Sequence, residues 1–271
     1  MLGSLLKSLF VTDDVEENLA KIEKEAGSYG FDAWGFNKEK AKLPYAVAKF
    51  FYDHYFRVKT NGLEHVPPSG RVLVIANHSG QLPIDGLLIG TAIANSPHGA
   101  RAPRAMIERF FPTVPFLGTL LNEAGAVIGD PINCSNMLER EEAVIVFPEG
   151  IRGSGKPYDK RYQLQRFGNG FMHLCMAHKT PIVPVGVVGC EETMPSLGSI
   201  DLLAKMLGLP YLPIALPMVL PAKITLSFGE PMTFDTSFDH EEDITDRVEL
   251  VKAKIRDLIE QGLSEREGIF L

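Results

Sequence analysis

Short apolar runs alternate with stretches of helical periodicity over most of this chain. Residues 71–76, 126–128, 143–147 and 182–188 are continuous hydrophobic runs of strand length, and Ile224–Phe228 alternates as a late strand. Between them, 84–95, 115–123, 134–142 and 162–178 carry the spacing of helices. Residues 240–262 predict a closing amphipathic helix with Val248, Val251, Ile255, Leu258 and Ile259 inward. Strands alternating with helices predict an α/β sheet with helices on its faces. Ahead of this body, Asp13–Ala26 and the aromatic-rich Tyr45–Arg57 read as helices around a Gly-rich break. The simplest organisation is a helical arm over 1–60, with a possible membrane contact, followed by one domain over 61–271.

Two of the strand runs end in chemistry. Val72–Ala76 leads into Asn77-His78-Ser79-Gly80-Gln81-Leu82-Pro83-Ile84-Asp85, and Ala143–Phe147 leads into Pro148-Glu149-Gly150-Ile151-Arg152. An imidazole can take the proton of a hydroxyl as its oxygen attacks a carbonyl, and a nearby carboxylate fixes the tautomer. His78 supplies the base and Asp85 the carboxylate if the Gly80–Pro83 stretch folds back. Ser79 as a nucleophile is disfavoured, because no Gly-x-Ser-x-Gly elbow surrounds it. Glu149 and Arg152 share a tight turn, where the guanidinium suits a phosphate and the carboxylate suits acceptor hydroxyls or the Arg itself. Gly150 to Lys156 also matches Gly-x4-Gly-Lys, but Pro157 stands where a nucleotide loop needs a hydroxyl.

Composition narrows the classes. A net charge of −7 argues against nucleic acid as a partner. Five basic residues (Arg152, Lys156, Lys160, Arg161, Arg166) nonetheless face only Asp159 between 152 and 166, a balance of +4 that leaves −11 elsewhere. Such a cluster suits phosphates or an anionic surface. Cys134, Cys175 and Cys190 have no paired spacing, so buried thiols in a reducing, cytoplasmic compartment are expected, with no metal site. No secretory signal is visible, although Leu2, Leu5, Leu6 and Leu9 share a helical face. The greasiest stretch, Met206–Pro221, carries four prolines and is not expected to span a bilayer. It suits an acyl groove or the membrane interface, and residues 112–121 suit either of these or the core.

His78 with a following Asp, then Phe147-Pro148-Glu149-Gly150-Ile151-Arg152, then Pro181-Ile182-Val183-Pro184-Val185, resemble in order and spacing the glycerolipid (lysophosphatidic-acid-type) acyltransferases over about residues 60–230. Tyr162–Phe171 and Val187–Glu192 look closer to the monoacylglycerol and diacylglycerol branch. The resemblance implies a mixed, mostly parallel sheet of the glycerol-phosphate-acyltransferase type. It also implies transfer of a fatty acyl group from acyl-CoA or acyl carrier protein to a lipid hydroxyl at the cytosolic membrane face, without cofactor or metal. His78 is then the base and Asp85 its partner; Glu149, Gly150 and Arg152 help bind the acceptor, and Pro184 shapes the site. Two departures stand out. The family has four residues between His and Asp where this chain has six, and the block that supplies an Arg for acceptor phosphate reads Gly125-Ala-Val-Ile-Gly-Asp130. Asp130 favours neutral or zwitterionic acceptors. The alternatives are a lipid or acyl-thioester hydrolase, in which His78 activates water, and a non-catalytic lipid- or acyl-carrier-binding protein.

Overall fold

The computed structural model describes residues 10–22, 27–113, 117–200, 204, 206, 212–215, 218–235 and 241–270. The apolar face at Leu2–Leu9 and much of Met206–Pro221 lie outside them. The strands are β1 (Lys59–Asn61), β2 (Val72–Ala76), β3 (Arg104–Ile107), β4 (Val127–Ile128), β5 (Ala143–Val146), β6 (Ile182–Val188), β7 (Ser196–Ser199), β8 (Pro213–Ala215) and β9 (Thr225–Phe228). The helices are α1 (Asp13–Lys21), α2 (Lys38–Phe50), α3 (Ile84–Ala94), α4 (Leu117–Glu123), α5 (Pro131–Glu139), α6 (Ile151–Ser154), α7 (Gly170–His178), α8 (Cys190–Thr193) and α9 (Glu241–Ser264).

Seven strands form one sheet in the order β1-β9-β6-β2-β5-β3-β4, and β7 and β8 make a separate hairpin. All pairings in the large sheet are parallel except β6–β9. Every residue of β2 and β6 is buried, as both-face coverage requires and as their unbroken apolar runs predict. The pleat sends Leu73 and Ile75 to the layer of α5, α7 and α9, while Val72, Val74 and Ala76 meet Leu88, Ile89 and Ile93 of α3. The arm docks through Val15, Leu19, Ile22, Phe36 and Ala41 against Ala94 and Ala102.

The sequence pattern misplaces three elements. Residues 162–178 are helical only from Gly170; before it, the Tyr162 and Gln165 N–H groups donate to the Glu191 and Glu149 carboxylates instead of to a helical ladder. Strand β3 escapes an apolar pattern because it opens on Arg104, which is fully buried and paired with Asp32 and Glu142. Strand β1 (Lys-Thr-Asn) sits at a sheet edge, where polar side chains are admitted.

Helix α9 crosses β6 at Gly186, where a Cβ would fall 2.7 Å from Leu258 Cβ and 2.8 Å from its carbonyl carbon. Gly186→Ala is therefore expected to destabilise the protein by about 1–3 kcal/mol through overpacking, read as a lower denaturant midpoint.

Candidate active site

Parallel pairing gathers the chemistry at one sheet edge, beyond the carboxyl ends of the strands. Ile75 of β2 pairs with Val146 of β5, so His78 and Glu149 each stand three residues past a paired position. Ala105 of β3 pairs with Ile145, which brings Glu108 to the same edge.

The six residues between His78 and Asp85 turn back so that the His78 Nδ1 lies 2.7 Å from Asp85 Oδ2. The turn works because α3 starts at Ile84, after Pro83, and holds Asp85 in its first turn. There the carboxylate accepts the Ser79 N–H at 2.8 Å on Oδ2 and the Gly86 N–H at 2.7 Å on Oδ1. Gly80, at φ +91°, takes the left-handed bend, and a Cβ there would lie 2.8 Å from the Cys190 carbonyl oxygen. Asp85 is fully buried, and the His78 side chain is 13% exposed, with its ring stacked 4.5 Å from that of Phe147. Ser79 is buried and does not line the cavity described below.

Glu149 is buried and serves the backbone. Its Oε1 accepts the His78 N–H at 2.9 Å and its Oε2 the Gln165 N–H at 2.6 Å, with Lys156 Nζ 3.9 Å away. Gly150 lines the cavity, Arg152 is exposed and donates to the Arg166 carbonyl, and Pro184 lies within β6 opposite Ile75, away from the cavity. Lys156, the lysine of the nucleotide-like motif, is buried against Glu191 at 2.7 Å and leaves the exposed basic cluster.

A cavity of about 430 Å³ runs from His78 under the arm. Gly86, Gly90 and Ala94 of α3, Phe36, Tyr45 and Phe171 are among its walls, and Glu108 and Asp130 are its acidic liners. Sequence reading missed Glu108, which follows the unrecognised β3. Asp130 accepts the Ile132 N–H at 3.0 Å and pairs with Arg109 at 2.9 Å. The Asp-Pro pair is therefore the N-cap and first residue of α5, a signal present in the sequence.

Burial pulls the His78 pKa down, but the Asp85 charge and hydrogen bond, with Glu149 and Glu108 adding, raise it above the ordinary 6.5. Burial raises Glu108 above the usual carboxylate range, against the pull of His78. All three cysteines are buried free thiols, and burial pushes Cys134 and Cys175 up to about 12. No group of His, Cys, Asp and Glu residues suited to a metal occurs among the described residues.

Residues 57–188 match the family model described as Acyltransferase. An uncharacterised protein of Mycobacterium tuberculosis is 34% identical over 253 residues, 89% of this chain and 70% of that protein. The Bos taurus protein named "DGAT1/2-independent enzyme synthesizing storage lipids" is 27% identical over 226 residues, 82% of this chain and 64% of its own length. Among solved structures, the 1-acyl-sn-glycerophosphate (LPA) acyltransferase PlsC from Thermotoga maritima shares the fold, with a TM-score of 0.58 and 18% identity over 85% of this chain and 83% of that one. The chain belongs to the acyltransferase family, together with the Mycobacterium tuberculosis protein. It is therefore an acyltransferase.

Because the His78 pKa is raised, its ion pair contributes stability that is fully present below about 6.5 and is lost as pH climbs through the folded value. An NMR titration of the His78 ring is expected to show a pKa above 6.5 in the native protein and a lower one in Asp85→Asn.

Proposed function

We propose that this protein moves a fatty acyl group from a thioester donor, acyl-CoA or acyl carrier protein, to the hydroxyl of a lipid at a membrane surface, with His78 as general base and Asp85 as its orienting carboxylate. The observation that carries this reading is the His78–Asp85 pair, 2.7 Å apart, at the end of an apolar cavity. With Nδ1–H donated to Asp85, the His78 Nε2 is the nitrogen that accepts the proton of the acceptor hydroxyl as its oxygen attacks the thioester carbonyl. Collapse of the tetrahedral intermediate breaks the carbon–sulfur bond, and the imidazolium returns the proton to the departing thiolate. Asp85 stabilises the imidazolium between these steps. The acyl chain lies along the Gly86-Gly90-Ala94 side of α3, where two glycines and an alanine leave room. Glu149 acts through the backbone, pinning the His78 N–H to the 163–165 loop rather than touching the acceptor.

The acidic liners favour an acceptor without phosphate. Asp130 is matched by Arg109, but the Glu108 carboxylate stands on the cavity wall without a hydrogen-bond partner among the described residues. A phosphate charge about 6 Å from it costs roughly 3 kcal/mol at an effective dielectric of about 20, a preference of about a hundredfold. Neutral glycerolipid alcohols fit, in keeping with the storage lipids named for the Bos taurus relative. No helix among the described residues is long and apolar enough to cross a membrane, and peripheral attachment at the cytosolic face suits the site.

The test is incubation with labelled palmitoyl-CoA or palmitoyl acyl carrier protein over monoacylglycerol, diacylglycerol, lysophospholipid and lysophosphatidic acid acceptors. A new ester is expected, lost in His78→Ala and reduced about 10²–10⁴-fold in Asp85→Asn. Fatty acid release without an acceptor product would identify a hydrolase instead. Glu108→Gln is expected to narrow the gap between neutral and phosphate-bearing acceptors by tenfold or more, read as the ratio of their kcat/KM values. An unchanged ratio would remove Glu108 from acceptor selection.

A further inference from the structure

Among the described residues, exposed apolar side chains concentrate on the β7–β8 hairpin and the chain around it. Leu197 is 85% exposed, Met206 76%, Met218 56%, Ile214 45% and Ile200 43%. Residues 194–222, which contain all five, hold only Asp201 and Lys205 as charged side chains. An exposed apolar concentration on one excursion is a contact surface waiting for a partner. Its position names the partner. β2 and β6 are parallel neighbours, so the chain leaving β6 through α8 toward β7 emerges at the same sheet edge as His78. The Gly80 backbone lies close against that of Cys190 in α8, which ties the hairpin's root to the His78 loop.

Charge points the same way. β7 packs against the turn Tyr158–Lys160, and Lys160, Arg161, Arg152 and Arg166 are all exposed in the adjoining segment, with Asp159 their only exposed acid. The protein carries −7 overall, so this is a local cationic rim on an acidic molecule. Apolar side chains standing beyond a basic rim match an anionic bilayer, whose headgroups meet the cations while the tips enter the acyl boundary. Two further exposed apolar residues lie beside the site, Leu82 in the turn between His78 and Asp85 and Ile151 at the start of α6.

We propose that the β7–β8 hairpin, with the Lys160–Arg161 rim, is the element that seats this protein on an anionic lipid surface and turns the His78 cavity toward it. This deepens the reading of a lipid acyltransferase working at a membrane and rests on that reading for its purpose, though not for its test. The apolar tips supply depth and the rim supplies preference for negative lipid.

The full chain is sedimented with vesicles of phosphatidylcholine alone and of phosphatidylcholine mixed with phosphatidylglycerol, whose negative surface potential attracts basic side chains. The native protein is expected to partition more strongly onto the anionic vesicles. Leu197→Asp with Ile214→Asp is expected to weaken both by tenfold or more, with an unchanged melting temperature and unchanged turnover of detergent-dispersed substrates. Lys160→Glu with Arg161→Glu is expected to erase the anionic preference while residual binding to neutral vesicles persists. A Leu197→Trp variant is expected to be quenched by brominated phosphatidylcholine, against the background of Trp34 measured in the native protein. Undiminished vesicle binding by the double-Asp variant together with no quenching overturns the proposal. So does a native dimer that the double-Asp variant alone dissolves while its vesicle binding is kept, since the hairpin would then cover a second copy. His78→Ala is expected to bind vesicles like the native protein. Failed turnover beside intact, hairpin-dependent binding would therefore count against the enzyme reading and leave the docking surface standing.

Discussion

In the middle of the sheet, β2 and β5 run parallel with Ile75 opposite Val146, and that register controls the site. Three residues beyond each partner the strands have ended and the chain is free to turn, which brings His78 and Glu149 to one height at the carboxyl edge. Glu149 then closes the arrangement. Its two oxygens take the N–H groups of His78 and Gln165, which no strand or helix satisfies. A one-residue slip in either strand would send the apolar side chains to the wrong layer and separate the two loops together. Fold and site are thus held by the same pairing, and buried residues far from any substrate decide where the imidazole stands.

Around this pairing the carboxyl edge buries an unusual amount of charge. Lys156 lies between Glu191 and Glu149, and Arg266 pairs with Glu192, which also accepts the Tyr162 hydroxyl at 2.8 Å. Buried ions are tolerated only when paired and hydrogen-bonded, and removing one partner is far more damaging than never having the pair. Burial raises Glu191 above its usual range, although Lys156 pulls it down. The network joins the loop after β5, the segment 162–165, the start of α8 and the C-terminal Arg266. Its Glu191 and Glu149 carboxylates take the Tyr162 and Gln165 N–H groups, which a helical ladder would otherwise engage.

Much of this was legible in the chain. Three of the apolar runs named the central strands β2, β5 and β6, because both faces of a parallel sheet are covered there, and the fourth marked the edge strand β4. His78, Asp85 and Glu149 announced themselves by following those runs. The widened His-to-Asp interval was readable as a turn, but its closure depends on α3 beginning at Ile84 and on three hydrogen bonds to Asp85, which spacing does not encode. Glu108 stayed hidden because β3 opens on an arginine. A buried Arg104 becomes acceptable only through Asp32, which arrives from 72 residues upstream, and Glu142, 38 residues downstream. Glu149 and Lys156 looked like groups for a substrate because a turn motif shows residue types and not which way they face.

The Arg104 pairing also explains how the arm can be part of the site. Asp32 spends one oxygen on the N–H groups of Trp34 and Phe36, shaping the loop between α1 and α2, and the other on Arg104 of the sheet. Phe36, set by that loop, packs with Leu19 and Ile22 against the Ala94 end of α3, and all four line the cavity. The cavity is therefore a seam between the arm and the sheet body, not a hole within the body. Its small-residue floor, Gly86 and Gly90, is fixed by α3, and its roof depends on an ion pair at the opposite side of β3 from Glu108. The body supplies most of the apolar wall and the arm closes it with Leu19, Ile22, Phe36 and Tyr45, so the volume of the cavity depends on how the two dock as well as on single side chains.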